Sequence, residues 1–138
     1  MAAIVHSTPT RVRFHECDMY GHVNHSIYLQ YLETARVLLL KDHALPIQEL
    51  QRRGLNLVVR RVTVEYLRPA FLDDELWVAT EIIRLRGSSG VFRQLITRQG
   101  SPVADATVEW ACLGVDGRPA RLPRELQDLR PPDEETPR

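Results

Sequence analysis

The sequence has one lysine, two cysteines, no net charge and no long apolar run, and each shortage removes a class of function. Lys+Arg and Asp+Glu both number 18, so the formal net charge is zero, and the charges are interleaved along the chain rather than gathered into tails. Binding to nucleic acid or to a membrane surface relies on a basic face, so neither partner is expected. Arginine fills every basic position except Lys41, a bias that carries no function by itself. Cys17 and Cys112 allow at most one bridge, and such sparse usage points to reduced, buried thiols. No stretch approaches the ~18 consecutive apolar residues of a membrane helix. The opening "MAAIVHSTPT" also lacks the basic and apolar regions of a secretion signal, so a cytoplasmic location is expected.

What is present suits one domain. A chain of 138 residues with 43% hydrophobic content can bury a single core. Residues 1–122 are expected to form it, and 123–138 to add a short helix around Arg124 to Leu129 and a polar, Pro-rich tail. "RVRFHE" (11–16) alternates polar and apolar residues and predicts a first strand. From about Asn24 the period changes: Tyr28, Leu32, Ala35 and Leu39 share one face, while Gln30, Glu33, Thr34 and Lys41 share the other. This predicts a long amphipathic helix with Asn24 as its N-cap. "PIQELQRRG" predicts a short helix that starts at Pro46 and stops at Gly54.

After Gly54 the chain is rich in Val, Ile, Thr and aromatic residues. "LNLVVRRVTVEYL", "ELWVATEIIRLR", "GVFRQLITR" and "VADATVEWACLGV" read as four strands, the last three close enough for a meander. In the first of these, strict alternation puts Val58, Val62, Val64 and Tyr66 on one side and Leu57, Val59 and Leu67 on the other. The order is β, α, then four β, with no internal repeat. The expected fold class is α+β, one helix covering one face of a five-stranded antiparallel sheet.

The residues that could carry chemistry cluster in "HECDMYGHVNHSIYLQYLETAR", 15–36. Asp18 lies between a strand end and a helix start, whose free N–H groups and partial positive charge can hold a developing oxyanion. A carboxylate facing that point can attack a carbonyl or take a proton from water. It can equally do no more than cap its own loop. Cys17 beside His22 or His25 could form a thiolate and base pair, but no third group orients it, and a lone Cys at a strand end is ordinarily packing. His15, Cys17, Asp18, His22 and His25 are metal ligands by type, yet their spacing matches no zinc pattern, so no metal is expected. His22 and His25 also read as loop and packing groups. Tyr28 reads as core with its hydroxyl within reach of a ligand, and Gly21 as a backbone position that a Cβ would block.

The run Asp18-Met19-Tyr20-Gly21-His22-Val23-Asn24-His25-Ser26-Ile27-Tyr28, followed by "YLETAR", resembles the Asp-x-x-Gly-His-Val-Asn-Asn-x-x-Tyr signature of the 4-hydroxybenzoyl-CoA thioesterase-like group of hotdog-fold proteins. "VEYLRPAFLDDEL" resembles a further block of that family, a strand ending in Pro followed by a Gly-Asp turn. The similarity spans roughly residues 10–115, and the element order is that of a hotdog domain.

The resemblance implies hydrolysis of an acyl-CoA or acyl carrier protein thioester without cofactor or metal. It places the catalytic carboxylate on Asp18, as nucleophile or general base, and the amides that polarise the thioester carbonyl around Asn24 to Ser26, His25 foremost. It puts Gly21, His22, Val23, Asn24 and Tyr28 at the substrate. The family's phosphate-binding residues fall on Arg86, with Ser88 nearby, and on Arg121. Family sites lie between subunits, which implies a homodimer or homotetramer. The second Asn of the signature is His25 here, and the Gly-Asp turn is Asp73-Asp74. The first departure bears on substrate preference more than on reaction type, because any non-proline residue supplies the N–H. Hotdog hydratases carry an Asn-Pro pair that "DMYGHVN" lacks, which disfavours dehydration. The alternative is a non-catalytic protein that binds acyl thioesters or acyl chains on the same fold.

Overall fold

Asn24 starts the principal helix, α1 (His25–Asp42), as its composition leads one to expect: the residue is extended, and its side chain accepts the Ser26 N–H at 3.0 Å. Tyr28, Leu32, Ala35 and Leu39 are buried, and Gln30, Glu33, Thr34 and Lys41 face solvent, as their period requires. The computed structural model describes residues 5–132. The remaining elements in chain order are β1 (Val5–Arg11), α2 (Ile47–Arg52), β2 (Asn56–Tyr66), β3 (Glu75–Leu85), β4 (Ser89–Arg98), β5 (Ser101–Leu113) and α3 (Arg124–Gln127). The strands form one antiparallel sheet in the order β1-β3-β4-β5-β2, with β3, β4 and β5 as the expected meander. With α1 across one face, this is the α+β hotdog arrangement. No helix of the described residues is long and apolar enough to cross a membrane.

The core under α1 has two parts separated by a polar belt. Val78, Ile96 and Ala106 join Tyr28, Leu32 and Ala35 toward the helix start, while Ile82, Phe92 and Val108 join Leu39 and Leu40 toward its end. Between them Thr80 and Gln94 are fully buried. Gln94 donates to the Leu32 carbonyl at 2.9 Å and to Thr80 Oγ1 at 3.0 Å, and its Oε1 accepts from Arg36 at 3.0 Å. Buried amide groups are satisfied in this way or are costly. The segment expected to hold a short helix does so, and Leu122, Leu126 and Leu129 pack into the second part of the core. The polar tail beyond Pro132 lies outside the described residues.

Two strand expectations are corrected. The first strand is Val5–Arg11, and Phe14–Glu16 form a 3₁₀ turn instead. Strand β1 exists because β3 offers it a ladder from Val5↔Glu81 to Arg11↔Glu75, past which Val12 exchanges backbone hydrogen bonds with the turn at Asp73 and Asp74. Phe14 is then 82% exposed while Glu16 is buried, against the alternation of "RVRFHE". Pro9 is tolerated because β1 is an edge strand.

In β2 a register shift between Val59 and Arg61 reverses the parity of the strand. Leu57 pairs with buried Cys112, Val59 with Trp110, Val62 with Val108 and Val64 with Ala106, so all four lie on the helix side. The apolar groups of β2 therefore share one face rather than two. Val58 is left alone among them on the other.

Gly90 sits where β4 passes over the side chain of Trp110. A Cβ there would lie 2.5 Å from Trp110 Cζ2 and 2.9 Å from both the Arg84 carbonyl and Leu85 Cδ2. Gly90→Ala is expected to cost roughly 1–3 kcal/mol of stability, as overpacked cores do. Chemical denaturation of the two proteins measures it.

Candidate active site

The segment between β1 and α1 is closed by backbone pairing. Glu16 O accepts the Asn24 N–H at 2.9 Å, Cys17 bridges Val23, and Asp18 N–H reaches His22 O at 2.9 Å. At the tip Gly21 N–H donates to Asp18 O at 3.0 Å, with Gly21 at φ +85°, a conformation that glycine adopts at least cost. The loop is stitched to the segment after β2: Val23 N–H donates to Ala70 O at 2.8 Å, and His22 bridges Phe71. That segment is itself held by Arg98, which donates to Pro69 O at 3.2 Å and to Asp74 Oδ2 at 2.7 Å. Asp73, in the place of the resembled glycine, takes φ +68°, a left-handed conformation that aspartate tolerates better than most residues.

Glu16 anchors the loop from beneath. Its Oε1 accepts the Tyr31 hydroxyl at 2.7 Å and the Arg13 N–H at 2.8 Å. Burial, then the hydrogen bond to Glu16, pushes the Tyr31 phenol far above its usual pKa, so the proton stays on the tyrosine. Burial also raises the Tyr28 phenol.

Above the loop opens a cleft of about 470 Å³. Of the residues singled out in the sequence, Asp18, His22, Val23, His25 and Tyr28 line it. Asp18 Oδ1 accepts the Tyr20 N–H at 2.9 Å, so the residue does cap its own turn. Its second oxygen has no partner among the described residues. At the start of α1 the Ser26 N–H goes to Asn24 Oδ1 at 3.0 Å, the Ile27 N–H to Asn24 O at 2.9 Å and the Asn24 N–H to Glu16. Among the described residues the His25 N–H has no partner, at the positive end of an 18-residue helix. Two residues that line one cleft thus carry an unpartnered carboxylate oxygen and an unpartnered helix amide. Such a pair can polarise a carbonyl and deliver an oxygen nucleophile to it.

Gly21 and Asn24 shape the loop and cap the helix rather than line the cleft. Tyr20, Tyr66, Leu67, Arg68 and Pro69 form the remaining wall. Nothing in the sequence marks these five as site residues, although the block containing Tyr66 to Pro69 belongs to the resemblance. The Tyr66 hydroxyl donates to the His25 carbonyl at 2.9 Å, and its ring lies 5.3 Å from that of Tyr28.

Arg86, Ser88 and Arg121 come together with Arg130 in a separate groove of about 420 Å³. It lies beyond the start of β4, whereas Arg98 at the end of β4 holds the wall of the cleft. The length of that strand, about 30 Å, separates the two.

Cys17 donates its thiol to Arg13 O at 3.8 Å and packs against the core rather than lining the cleft. Burial raises the Cys112 thiol, and the two cysteines are not bonded to each other. Among the described residues no three His, Cys, Asp or Glu side chains gather where they could hold a metal.

Residues 12–129 match the family model described as the thioesterase-like superfamily. The chain belongs to that superfamily. Among relatives within reach of sequence comparison, the acyl-CoA thioester hydrolase YbgC of Escherichia coli O6:H1 is 36% identical over 120 residues, covering 86% of this chain and 90% of that one. The long-chain acyl-CoA thioesterase FadM of Escherichia coli K12 is 34% identical over 124 residues, covering 88% and 93%. The crystal structure of a probable thioesterase from Bartonella henselae superposes with a TM-score of 0.83 at 32% identity, covering 87% of this chain and 100% of the other. The superfamily assignment agrees with the hotdog sheet and covers the Asp18 loop, α1 and the cleft wall.

Proposed function

We propose that the chain hydrolyses acyl-CoA thioesters in the cleft between Asp18 and the start of α1. The observation that carries this is that Asp18, with an unpartnered carboxylate oxygen, and His25, with an unpartnered N–H, line one cleft. The His25 amide holds the thioester oxygen as it gains charge, aided by the helix dipole. Asp18 either takes a proton from water, whose oxygen adds to the carbonyl carbon, or adds to that carbon itself and is released by water afterwards. In both routes a C–O bond forms, the C–S bond breaks, and the sulfur leaves as a thiolate that is then protonated. A thioester is already activated, so placement of these groups suffices without a metal or cofactor. The apolar and aromatic wall of Val23, Tyr28, Tyr66 and Leu67 suits the acyl group.

The groove of Arg86, Ser88 and Arg121 suits the phosphates of the carrier, but in one chain it is a strand length from the cleft. A two-fold dimer through β2 resolves this. Strand β2 is a sheet edge, and its helix-side Val59, Val62 and Tyr66 are 42%, 38% and 46% exposed. Antiparallel pairing of two such edges sets the groove end of one subunit beside the cleft end of the other.

Asp18→Asn is expected to keep the melting temperature and lower kcat at least ~100-fold, the usual worth of a catalytic base or nucleophile, with thiol release from an acyl-CoA panel as the assay. Cys17→Ser should stay active. Turnover at the wild-type rate in the Asn variant would remove Asp18 from the mechanism.

His25→Pro isolates the amide. Proline fits the first helical position, and Asn24 already has the extended ψ of 138° that a following proline requires. The expected loss in kcat is about 10²–10³-fold, while His25→Ala, which retains the N–H, should lose far less. Equal losses would assign the effect to the ring.

Sedimentation at micromolar concentration should give a dimer or a multiple of it. A fully active species at 15.9 kDa would show that one chain completes the site.

A further inference from the structure

Three phenols gather beside the first turns of α1, and two of them have their protons committed. Tyr31 donates to Glu16 Oε1 at 2.7 Å, and Tyr66 donates to the His25 carbonyl at 2.9 Å. Tyr28 meets both, its ring 6.1 Å from that of Tyr31 and 5.3 Å from that of Tyr66, each contact edge to face. It is only 3% exposed, and it lines the cleft together with Asp18 and His25. Its oxygen takes a hydrogen bond from the Ala70 backbone. Among the described residues nothing accepts its proton. A phenol buried this far ordinarily finds an acceptor, because an unmet donor is costly. Water can serve while the cleft is empty, and a substrate that displaces it must supply the acceptor instead.

The geometry of the helix narrows down which substrate atom that is. Residues 25 and 28 stand one turn apart on one flank of α1, with about 5–6 Å between Cβ atoms at such a spacing. Helical side chains lean toward the N-terminus, so the Tyr28 ring is carried back toward the first turn. Its contact with Tyr66, whose hydroxyl is fixed on the His25 carbonyl, agrees with that direction. Burial raises the Tyr28 pKa, the Ala70 bond opposes this, and the charge of nearby Asp18 adds to it. The group is therefore a neutral O–H donor, close enough to feel the carboxylate and on the flank of the unpartnered His25 N–H. The neighbouring wall of Val23, Leu67 and Pro69 is apolar, and an alkyl chain brings no acceptor to it. Every thioester brings one, its carbonyl oxygen.

We propose that the Tyr28 hydroxyl is a second donor to the thioester carbonyl oxygen, acting beside the His25 amide as that oxygen gains charge. The role rests on the hydrolase reading above and adds a catalytic residue to it. Tyr28 keeps its proton throughout. Its hydrogen bond tightens as the new C–O bond forms and relaxes when the C–S bond breaks and the carbonyl is restored. Two donors on one oxygen favour the tetrahedral intermediate over the planar thioester, so the gain appears in kcat.

Tyr28→Phe tests this, since it keeps the ring and its contacts and removes only the oxygen. The variant should fold, with kcat lowered about 10²-fold, as for other oxyanion donors. KM should change little, and the loss should be equal for butanoyl-CoA and β-hydroxybutanoyl-CoA. A loss confined to β-hydroxybutanoyl-CoA would make the hydroxyl a reader of the acyl group, and a variant that does not fold would assign it to the fold; either overturns the proposal. An active wild type beside an equally active Tyr28→Phe removes this role alone. A wild type that hydrolyses no acyl-CoA removes the hydrolase reading and this role with it.

Infrared spectra of a bound analogue, butanoyl-CoA with a methylene in place of the sulfur, give a readout independent of turnover. Its carbonyl stretch should lie at lower wavenumber in the wild type than in Tyr28→Phe, because each hydrogen bond weakens the C=O bond. Tyr31→Phe removes a phenol whose proton goes to Glu16 and should leave the stretch at its wild-type position. Equal frequencies in the wild type and Tyr28→Phe, or an equal shift in both variants, would overturn the assignment.

Discussion

One buried amide fixes where the helix lies along the sheet. Gln94 is sealed between α1 and the sheet, and its hydrogen bonds to Leu32 O, Thr80 and Arg36 can be made together at only one axial position of the helix. Apolar contact has no direction, so leucine and valine alone specify the axial position of α1 less sharply than a hydrogen-bonded amide does. A helix displaced from this position would leave the amide without acceptor or donor in apolar surroundings, a penalty of about 1–3 kcal/mol for each unsatisfied group. The polar belt therefore works as a ruler, and the start of α1 falls opposite the Asp18 turn because its middle is pinned on Gln94.

A second constraint acts on the loop itself. Glu16 receives Tyr31 and Arg13 on its side chain and Asn24 on its carbonyl, so one residue ties the turn after β1 to both the first and the second turn of α1. The ladder from Cys17 to Val23 and the contact of Val23 with Ala70 then leave little freedom to residues 18–21. Helix position and loop closure together bring a carboxylate and an open amide to one cleft. Neither group is chemically unusual. Their placement is what distinguishes them from a capping Asp and an ordinary first-turn N–H.

Much of this was legible in the sequence because it is local. The period of Tyr28, Leu32, Ala35 and Leu39 defines α1, Asn24 is a good cap by type, and the last three strands are separated by turns too short for anything but a meander. The Asp18 loop also announced itself, through its position and through its resemblance to a known signature. What escaped is set by distant partners. Strand β1 has a single buried residue, Thr8, and exists because β3 presents an edge to it. The parity change in β2 has no residue type to mark it, and it moved Leu57 and Val59 onto the helix side. The wall from Tyr66 to Pro69 reaches the site only through Ala70, Arg98 and the sheet, which no spacing near Asp18 reports.

Tyr66 links the edge of the sheet to the start of the helix, since its hydroxyl holds the carbonyl of His25. In a subunit parted from its partner this end of β2 is a bare sheet edge, among the least protected parts of a fold, and it opens in local fluctuations long before the core does. Fraying at this end of β2 would release the His25 residue and part the rings of Tyr28 and Tyr66 while Gln94 and both parts of the core stay intact. Heat inactivation of such a site is then a local melting event with its own, lower midpoint. A protein that has lost its activity on warming can still register as folded by every probe of its helices and core.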